Sequence, residues 1–204
     1  MRGLYLVTPD WDDTERLLAV TDAALGAGVA LLQYRHKTAS PALRLQQATA
    51  LLALSRRHGC AFIVNDYVDL CLEIGADGVH VGGTDAPVAA VRAQIGAQRI
   101  LGASCYGDLA LARTAHAGGA SYVAYGGFYP SRVKKYPVTT DVAILAASHA
   151  AVPLPVVVIG GMTPQNSAVL MTAGADMVAA ISSVYLAADP AAAVREFAAV
   201  FAFS

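Results

Sequence analysis

The segment GADGVHV, residues 75–81, decides the fold, because it joins the end of a helix directly to a short buried strand. Gly75 is typical of the residue that ends a helix, and the apolar run Gly78–Val81 predicts a strand. The same arrangement returns as GADMVAA at residues 174–180, and glycines stand at two further joins of this kind. Such joins predict a chain in which helices and strands alternate.

On both sides of these joins, short apolar runs recur along the whole sequence. The eight predicted strands are Leu4–Thr8, Ala30–Tyr34, Phe62–Asn65, Gly78–Val81, Ile100–Ala103, Tyr122–Tyr125, Val156–Ile159 and Met177–Ala180. Helical spacing occupies the stretches between them, such as Thr14–Leu25, Pro41–Arg57 and Pro190–Phe201. Eight units of about 25 residues each fill 204 residues, at the low end for a (β/α)8 barrel. We therefore predict one (β/α)8 TIM-barrel domain over residues 1–204.

An open, doubly wound sheet also alternates strands and helices. Its usual sign is a glycine-rich turn after the first strand, whereas this chain has Thr8-Pro9-Asp10 at that place. The barrel is therefore favoured over the open sheet.

Composition limits the classes of function. The chain is 56% hydrophobic with a mean hydropathy of +0.49, but its apolar runs are short and broken by Gly, Pro and Asp. We expect a cytoplasmic protein without a membrane partner. A formal net charge of −1 gives no field that would attract nucleic acid. The three cysteines match neither a disulfide framework nor a zinc pattern, and the sequence is compatible with a homo-oligomer.

The active site of such a barrel is built at the carboxyl ends of its strands. After the second predicted strand, alternation sends Gln33, Arg35 and Lys37 to one face, and Tyr34 and His36 to the other. A solvated strand end is the structural alternative for a single Arg or Lys. Two cations and an amide on one face, in a chain that is only 14% charged, favour an anion site.

Two carboxylates follow the third and fourth strands. Asp66 comes after Asn65, and Asp85 follows His80 and two glycines. Mg²⁺ is commonly held by one or two carboxylates together with substrate phosphates and water. Each aspartate could instead cap the next helix, but their coincidence beside the two cations favours metal-bound pyrophosphate.

A second anion site is expected at the far side of the barrel mouth. The sixth strand leads into a long polar loop that includes Ser131, Arg132, Val133 and Lys134, and long loops in compact domains are often functional. The seventh strand ends in Gly160-Gly161, and the eighth leads to Ile181-Ser182. Barrels of this kind frequently bind phosphate there through backbone N–H groups.

Taken in order, these segments resemble the thiamine-phosphate synthase family over nearly the whole chain. The matching pieces are Gly3-Leu4-Tyr5, Gln33-Tyr34-Arg35-His36-Lys37, Val64-Asn65-Asp66, Gly75-Ala76-Asp77-Gly78-Val79-His80, Asp85, Gly102-Ala103-Ser104, Pro130-Ser131-Arg132-Val133-Lys134, Ile159-Gly160-Gly161 and Ile181-Ser182. The resemblance implies a transferase that joins an aminopyrimidine pyrophosphate to a thiazole phosphate, or its carboxylated form, with Mg²⁺ as cofactor.

The resemblance also implies a role for each position. Asp66 and Asp85 would bind magnesium, while Arg35, Lys37, Lys134 and Ser104 would be catalytic. The substrate-binding set would be Gln33, Tyr34, Arg35, His36, Lys37, Asn65, Ser104, Ser131, Arg132, Val133, Lys134, Gly161, Ile181 and Ser182. Three positions depart from the family pattern: His36 replaces an acid, Gly83 a glutamine and Val133 a threonine.

Two rival functions remain open from sequence. A thiazole tautomerase shares the superfamily but lacks a pyrophosphate site. Against it stands the retention of the expected pyrophosphate and magnesium residues, which are Arg35, Lys37, Asp66, Asp85 and Lys134. A non-catalytic protein that binds thiazole or thiamine phosphate would have no reason to keep the magnesium and pyrophosphate residues together.

Overall fold

Eight parallel strands close into a barrel in the order of the sequence, in a computed structural model that describes residues 1–82, 87–130 and 140–202. The strands are β1 Gly3–Val7, β2 Leu31–Tyr34, β3 Ala61–Asn65, β4 Gly78–Val81, β5 Ile100–Tyr106, β6 Tyr122–Gly126, β7 Val156–Ile159 and β8 Met177–Ala180. All eight predicted strands form, and β5 extends three residues beyond its predicted end.

Helices follow the strands on the outside of the barrel. Within the described residues they are α1 Thr14–Gly26, α2 Pro41–Arg57, α3 Val68–Ile74, α4 Val88–Ile95, α5 Leu109–Ala117, α6 Ala143–Ala151, α7 Pro164–Thr172, α8 Ser182–Tyr185 and α9 Pro190–Ala202. The predicted glycine stop is confirmed at α3, where Gly75 is left-handed with φ 68°. At α1, α5 and α7 the glycine with positive φ comes two residues after the helix end.

Alternation along the strands divides the core into two layers. The interior of the barrel is filled by residues such as Tyr5, Leu31, Ile63 and Tyr122. Their sequence neighbours on the strands face outward and pack against the helices. By this alternation Gln33, which follows Leu31 at a spacing of two, also faces the interior. The strand register therefore decides which polar residues reach the barrel mouth.

The cysteines behave as buried apolar residues, because Cys60, Cys71 and Cys105 are all free and buried. Of the helices in the three described ranges, none has the length and apolar character needed to cross a bilayer.

Candidate active site

The loop after β1 holds the cationic end of β2 in place. Arg35 Nη1 lies 3.2 and 3.1 Å from the two carboxylate oxygens of Asp10, and the backbone N–H of Lys37 donates to Asp10 Oδ1 at 2.9 Å. The Thr8 hydroxyl accepts from the Arg35 backbone N–H at 2.7 Å and donates to its carbonyl oxygen at 3.0 Å. Sequence reasoning missed the role of Asp10, because its partners lie 25 and 27 positions further along the chain.

Arg35 is nearly sealed but keeps one donor without a partner. Its side chain is 10% exposed, and its buried Nε makes no hydrogen bond to the part of the chain that the structure describes. A buried guanidinium N–H without an acceptor is costly unless a ligand satisfies it. This donor therefore fits an anion that is bound at the barrel mouth.

Asp66 lies next to this cationic group, at the end of β3. Lys37 Nζ forms an ion pair with Asp66 Oδ2, and Asn65 Nδ2 donates to the same oxygen at 2.8 Å. The backbone of Asp66 is left-handed, with φ 64°, and its N–H donates to the His80 carbonyl at 2.8 Å. Such strained residues cluster at functional sites. Asp66 is not a helix cap, because Tyr67 occupies the cap of α3.

Tyr34 and His36 face away from this group, as alternation predicted. The Tyr34 hydroxyl donates to Gln47 Oε1 at 3.0 Å under α2, in the outer core layer. The side chain of Tyr34 thus packs under α2, and the substrate-binding role of this residue stays a prediction. The His36 side chain is fully buried, with Nε2 3.1 Å from Asp12 Oδ1. It secures the β1–α1 loop and does not lie beside Arg35 on the mouth-facing side.

Ser104 faces the barrel interior where β5 becomes irregular. The pairing of β5 with β6 shifts between Ser104 and Tyr106, and Tyr106 has a positive φ of 54°. Bulges at barrel rims turn a side chain toward an active site. Ser104 is half-buried and hydrogen bonds through Oγ to His80 Nε2 at 2.9 Å.

A chain of buried polar side chains continues from Ser104 through the interior. His80 Nδ1 lies 2.9 Å from the Tyr122 hydroxyl, which lies 2.7 Å from the Tyr5 hydroxyl. Gln33 Nε2 donates to the Tyr5 hydroxyl at 2.6 Å. Two predicted site residues, Gln33 and Ser104, are therefore connected across the barrel. The two tyrosines and His80 were not predicted as site residues, although their inward strand positions were a usable signal.

The Gly160-Gly161 turn after β7 brings two loops together. Gly161 has φ 65°, and a Cβ at this position would overlap the carbonyl oxygen of Pro130, which lies four residues after the end of β6. Glycine is thus required here for the approach of the protein's own backbone. Asn166 Nδ2 donates to the Gly161 carbonyl at 2.9 Å and holds the turn against α7.

The start of α8 completes the site described by the structure. Ile181 packs with the barrel interior and precedes Ser182, the first residue of α8. Ser183 Oγ is buried and makes no hydrogen bond with any described residue. The first N–H groups of a helix also lack partners within that helix. These donors suit an anion beside Gly161.

Five predicted site residues, Asp85, Ser131, Arg132, Val133 and Lys134, lie outside the described residues, as do two departures from the family pattern, Gly83 and Val133. The described residues on either side of positions 131–139 have defined contacts. Pro130 meets Gly161, and Thr140 Oγ1 donates to the Gly126 carbonyl at 2.6 Å. Pro130 and Thr140 therefore lie beside β7 and β6 respectively.

Comparison with known proteins decides the family. The model of the family described as thiamine monophosphate synthase matches residues 4–184. The chain belongs to the thiamine monophosphate synthase family. Its activity is thiamine-phosphate synthesis, a transferase reaction, and its substrates are small molecules.

Relatives of this synthase family match along nearly the whole chain. The thiamine-phosphate synthase of Janthinobacterium sp. (strain Marseille) is 65% identical over 202 residues, which are 99% of this chain and 98% of the relative. That of Xanthomonas campestris pv. campestris (strain 8004) is 52% identical, with 98% and 96% covered. The solved thiamine phosphate pyrophosphorylase from Pyrococcus furiosus has a TM-score of 0.86 at 30% identity, covering 98% and 96%. These names favour the synthase over the tautomerase and the binding protein.

Proposed function

We propose that this synthase joins 4-amino-2-methyl-5-hydroxymethylpyrimidine pyrophosphate to 4-methyl-5-hydroxyethylthiazole phosphate, or its carboxylated form, with Mg²⁺, in the cytoplasm. The observation that carries the proposal is the group of Asp10, Arg35, Lys37 and Asp66 at the ends of β1, β2 and β3. It offers two positioned cations, Arg35 and Lys37, to the anion, and the carboxylate of Asp66 to the metal ion that accompanies it.

The reaction needs help mainly at the leaving group. The C–O bond to pyrophosphate breaks and its electron pair leaves with the oxygen, which creates a pyrimidine methylene cation. The lone pair of the thiazole nitrogen then forms the new C–N bond. Arg35 and Lys37, with Lys134 from the segment after β6, would stabilise the charge that grows on pyrophosphate. No side chain is required as a nucleophile.

The remaining residues of the proposed site bind and orient the substrates. Gln33, Asn65 and Ser104 face the interior and would hold the pyrimidine ring. Gly161, Ile181 and Ser182, with residues 131–133, would hold the thiazole phosphate. A ring held over the reacting carbon gains from proximity and excludes water from the cation.

Asp66 has the chemistry expected of a magnesium ligand. Its carboxylate already attracts a cation, the ammonium of Lys37, and lies beside the proposed pyrophosphate site. The described residues contain no cluster of three or more His, Cys, Asp or Glu side chains suited to a metal. Mg²⁺ is commonly held by one or two carboxylates together with substrate phosphates and water. Asp66 and Asp85 would hold the ion, and bound Mg²⁺ would supply further neutralisation of the pyrophosphate charge.

The test is to incubate the protein with both substrates and Mg²⁺, and to follow thiamine phosphate and released pyrophosphate. We expect product that chelation of magnesium abolishes and added Mg²⁺ restores. Asp66→Asn should raise the Mg²⁺ concentration needed for half-maximal rate by about tenfold or more. Undiminished product in chelator contradicts the metal assignment, and absence of product from folded protein favours the tautomerase or binding alternative.

A further inference from the structure

The hydrogen-bond chain from Gln33 to Ser104 has a direction. Each tyrosine hydroxyl carries one proton. Because Gln33 Nε2 donates to the Tyr5 oxygen, the Tyr5 proton is directed to Tyr122, and the Tyr122 proton to His80 Nδ1. A neutral His80 that accepts at Nδ1 carries its proton on Nε2, from which it donates to Ser104 Oγ. The hydroxyl proton of Ser104 is consequently left for a partner outside this series of hydrogen bonds.

Burial protects this direction. Gln33, Tyr5, Tyr122 and His80 are 5%, 1%, 0% and 7% exposed, so water has little access to the bonds. Desolvation raises the pKa of both tyrosines, and for Tyr5 the hydrogen bonds lower it only in part. Both phenols therefore remain protonated at neutral pH and keep their donor roles.

Tyr122 is the central member of the chain and lies too deep to meet a ligand. Its ring meets the Tyr5 ring edge to face, with 5.8 Å between the ring centroids, and stacks on the His80 ring, with 5.6 Å between the centroids. Space for these rings exists because Gly102 on β5 has no side chain, and a Cβ there would overlap the Tyr122 phenol. The Tyr122 hydroxyl can thus affect a substrate only through its neighbours.

We propose that Tyr122 is a positioning residue, which sets the proton on His80 Nε2 and thereby makes the Ser104 hydroxyl a hydrogen-bond donor to the pyrimidine ring. This inference rests on the proposed placement of that ring at Ser104. At the other end of the chain, Gln33 uses its N–H group internally and keeps its carbonyl oxygen as an acceptor. An acceptor at one end and a donor at the other match an aminopyrimidine, which offers an amino N–H and ring nitrogens.

The kinetic test compares two buried tyrosines of β6. Tyr122→Phe should lower kcat/KM for the pyrimidine pyrophosphate about tenfold, the effect of one misdirected hydrogen bond, with KM for thiazole phosphate unchanged. Tyr125→Phe is the matched control, since its hydroxyl bonds to Ser148 at 2.9 Å in the outer layer, away from the chain. It should leave both parameters at wild-type values.

A double-mutant cycle separates positioning from general damage. Tyr122→Phe should cost little once Ser104→Ala has removed the group it orients, so the two effects should be strongly non-additive. Additive losses would overturn the inference. If Ser104→Ala alone leaves the pyrimidine parameters unchanged, the proposed placement of the ring fails. If Ser104→Ala is damaging and Tyr122→Phe is not, only the positioning role fails.

Nitrogen NMR of the free protein tests the direction without substrate and without turnover. With ¹⁵N-labelled histidine, His80 should show the Nε2–H tautomer in the wild type. Gln33→Glu replaces the donor by an acceptor, which should reverse the chain and move the proton to Nδ1. An Nδ1–H tautomer in the wild type would overturn the inference even if Tyr122→Phe fails to fold.

Discussion

Asp10 is the residue that organises the proposed pyrophosphate site. It forms an ion pair with the Arg35 side chain and accepts the backbone N–H of Lys37, so one carboxylate positions both cations. Its charge also competes with an incoming anion for Arg35. Arg35 is nearly buried, and its Nη1 bonds to both carboxylate oxygens of Asp10. If Asp10 is removed, we therefore expect the misplacement of Arg35 to outweigh the gain from removing a competing negative charge.

Asp10→Ala should therefore lower kcat/KM for the pyrimidine pyrophosphate by about tenfold or more, as expected for a misplaced catalytic group. Steady-state kinetics with each substrate varied in turn measures the effect. Asp22→Ala is the control, because Asp22 pairs with His58 at 2.6 Å on the outer surface. If Asp10→Ala binds the pyrimidine pyrophosphate more tightly than the wild type does, competition between the Asp10 carboxylate and the substrate for Arg35 is the larger effect.

Residue-level prediction succeeded where strand alternation applied and failed where it did not. Side chains alternate between the two faces of an extended strand, and this alone separated one set of residues from the other. The sets are Gln33, Arg35 and Lys37 on one face, and Tyr34 and His36 on the other. The partners of Asp10 could not be read from the chain, because a loop carboxylate chooses them by tertiary proximity. The assignment of Asp85 and of residues 131–134 stays a prediction.

At the scale of elements, the β7–α7 turn and the end of the β6 segment depend on each other. Gly161 needs a positive φ and leaves space for the carbonyl of Pro130, from which the segment carrying Ser131 to Lys134 continues. The turn therefore helps to place Pro130, the described residue that precedes the stretch proposed to contact both substrates.

Gly161→Ala should destabilise the fold by about 2 kcal/mol or more, because backbone strain and overlap with Pro130 act together. It should also raise KM for thiazole phosphate more than KM for the pyrimidine substrate. Gly59→Ala provides the comparison, since Gly59 has a closely similar φ of 64° but nothing within 4 Å of its added Cβ. Thermal unfolding and kinetics on both variants separate strain from overlap, and equal effects would argue against a role for the Pro130 contact.

At the scale of the whole molecule, buried thiols link stability to alkaline pH. Desolvation raises the pKa of Cys60 and of Cys71 from 9.0 to about 11, and that of Cys105 to about 12. Above pH 9 the folded protein keeps these protons while the unfolded chain releases them. The stabilising contribution is thus complete below pH 9 and is lost as the pH rises toward 11 and 12.

Urea unfolding should accordingly show a falling free energy of unfolding as the pH is raised above 9. Measurements are best kept below about pH 10. Above that pH the tyrosines of the unfolded chain also ionise, and their ionisation lowers the free energy of unfolding in the same direction as that of the thiols. Cys105→Ala should reduce the slope, although it lowers stability at every pH. A free energy of unfolding that stays level above pH 9 would contradict the role of the thiols.

The barrel itself was predictable from sequence because its signals are local and repeated. Apolar strands, glycine-ended helices and their spacing each indicate the same alternation, and the predicted strand limits differ from the observed ones mainly at β5. The polar interior was harder to foresee, because its members come from five strands and meet only when the barrel closes.

Gly102 makes the residues at positions 80, 102 and 122 of that interior depend on one another in evolution. A larger residue there would require the phenol of Tyr122 to be removed, and His80 would then lose the partner of its Nδ1. Single substitutions along such a path pass through a crowded or unsatisfied interior, so each is disfavoured by itself. We expect compensated changes, in which all three positions differ together, to be the accessible route by which a descendant of this barrel could acquire a pocket for a different ring.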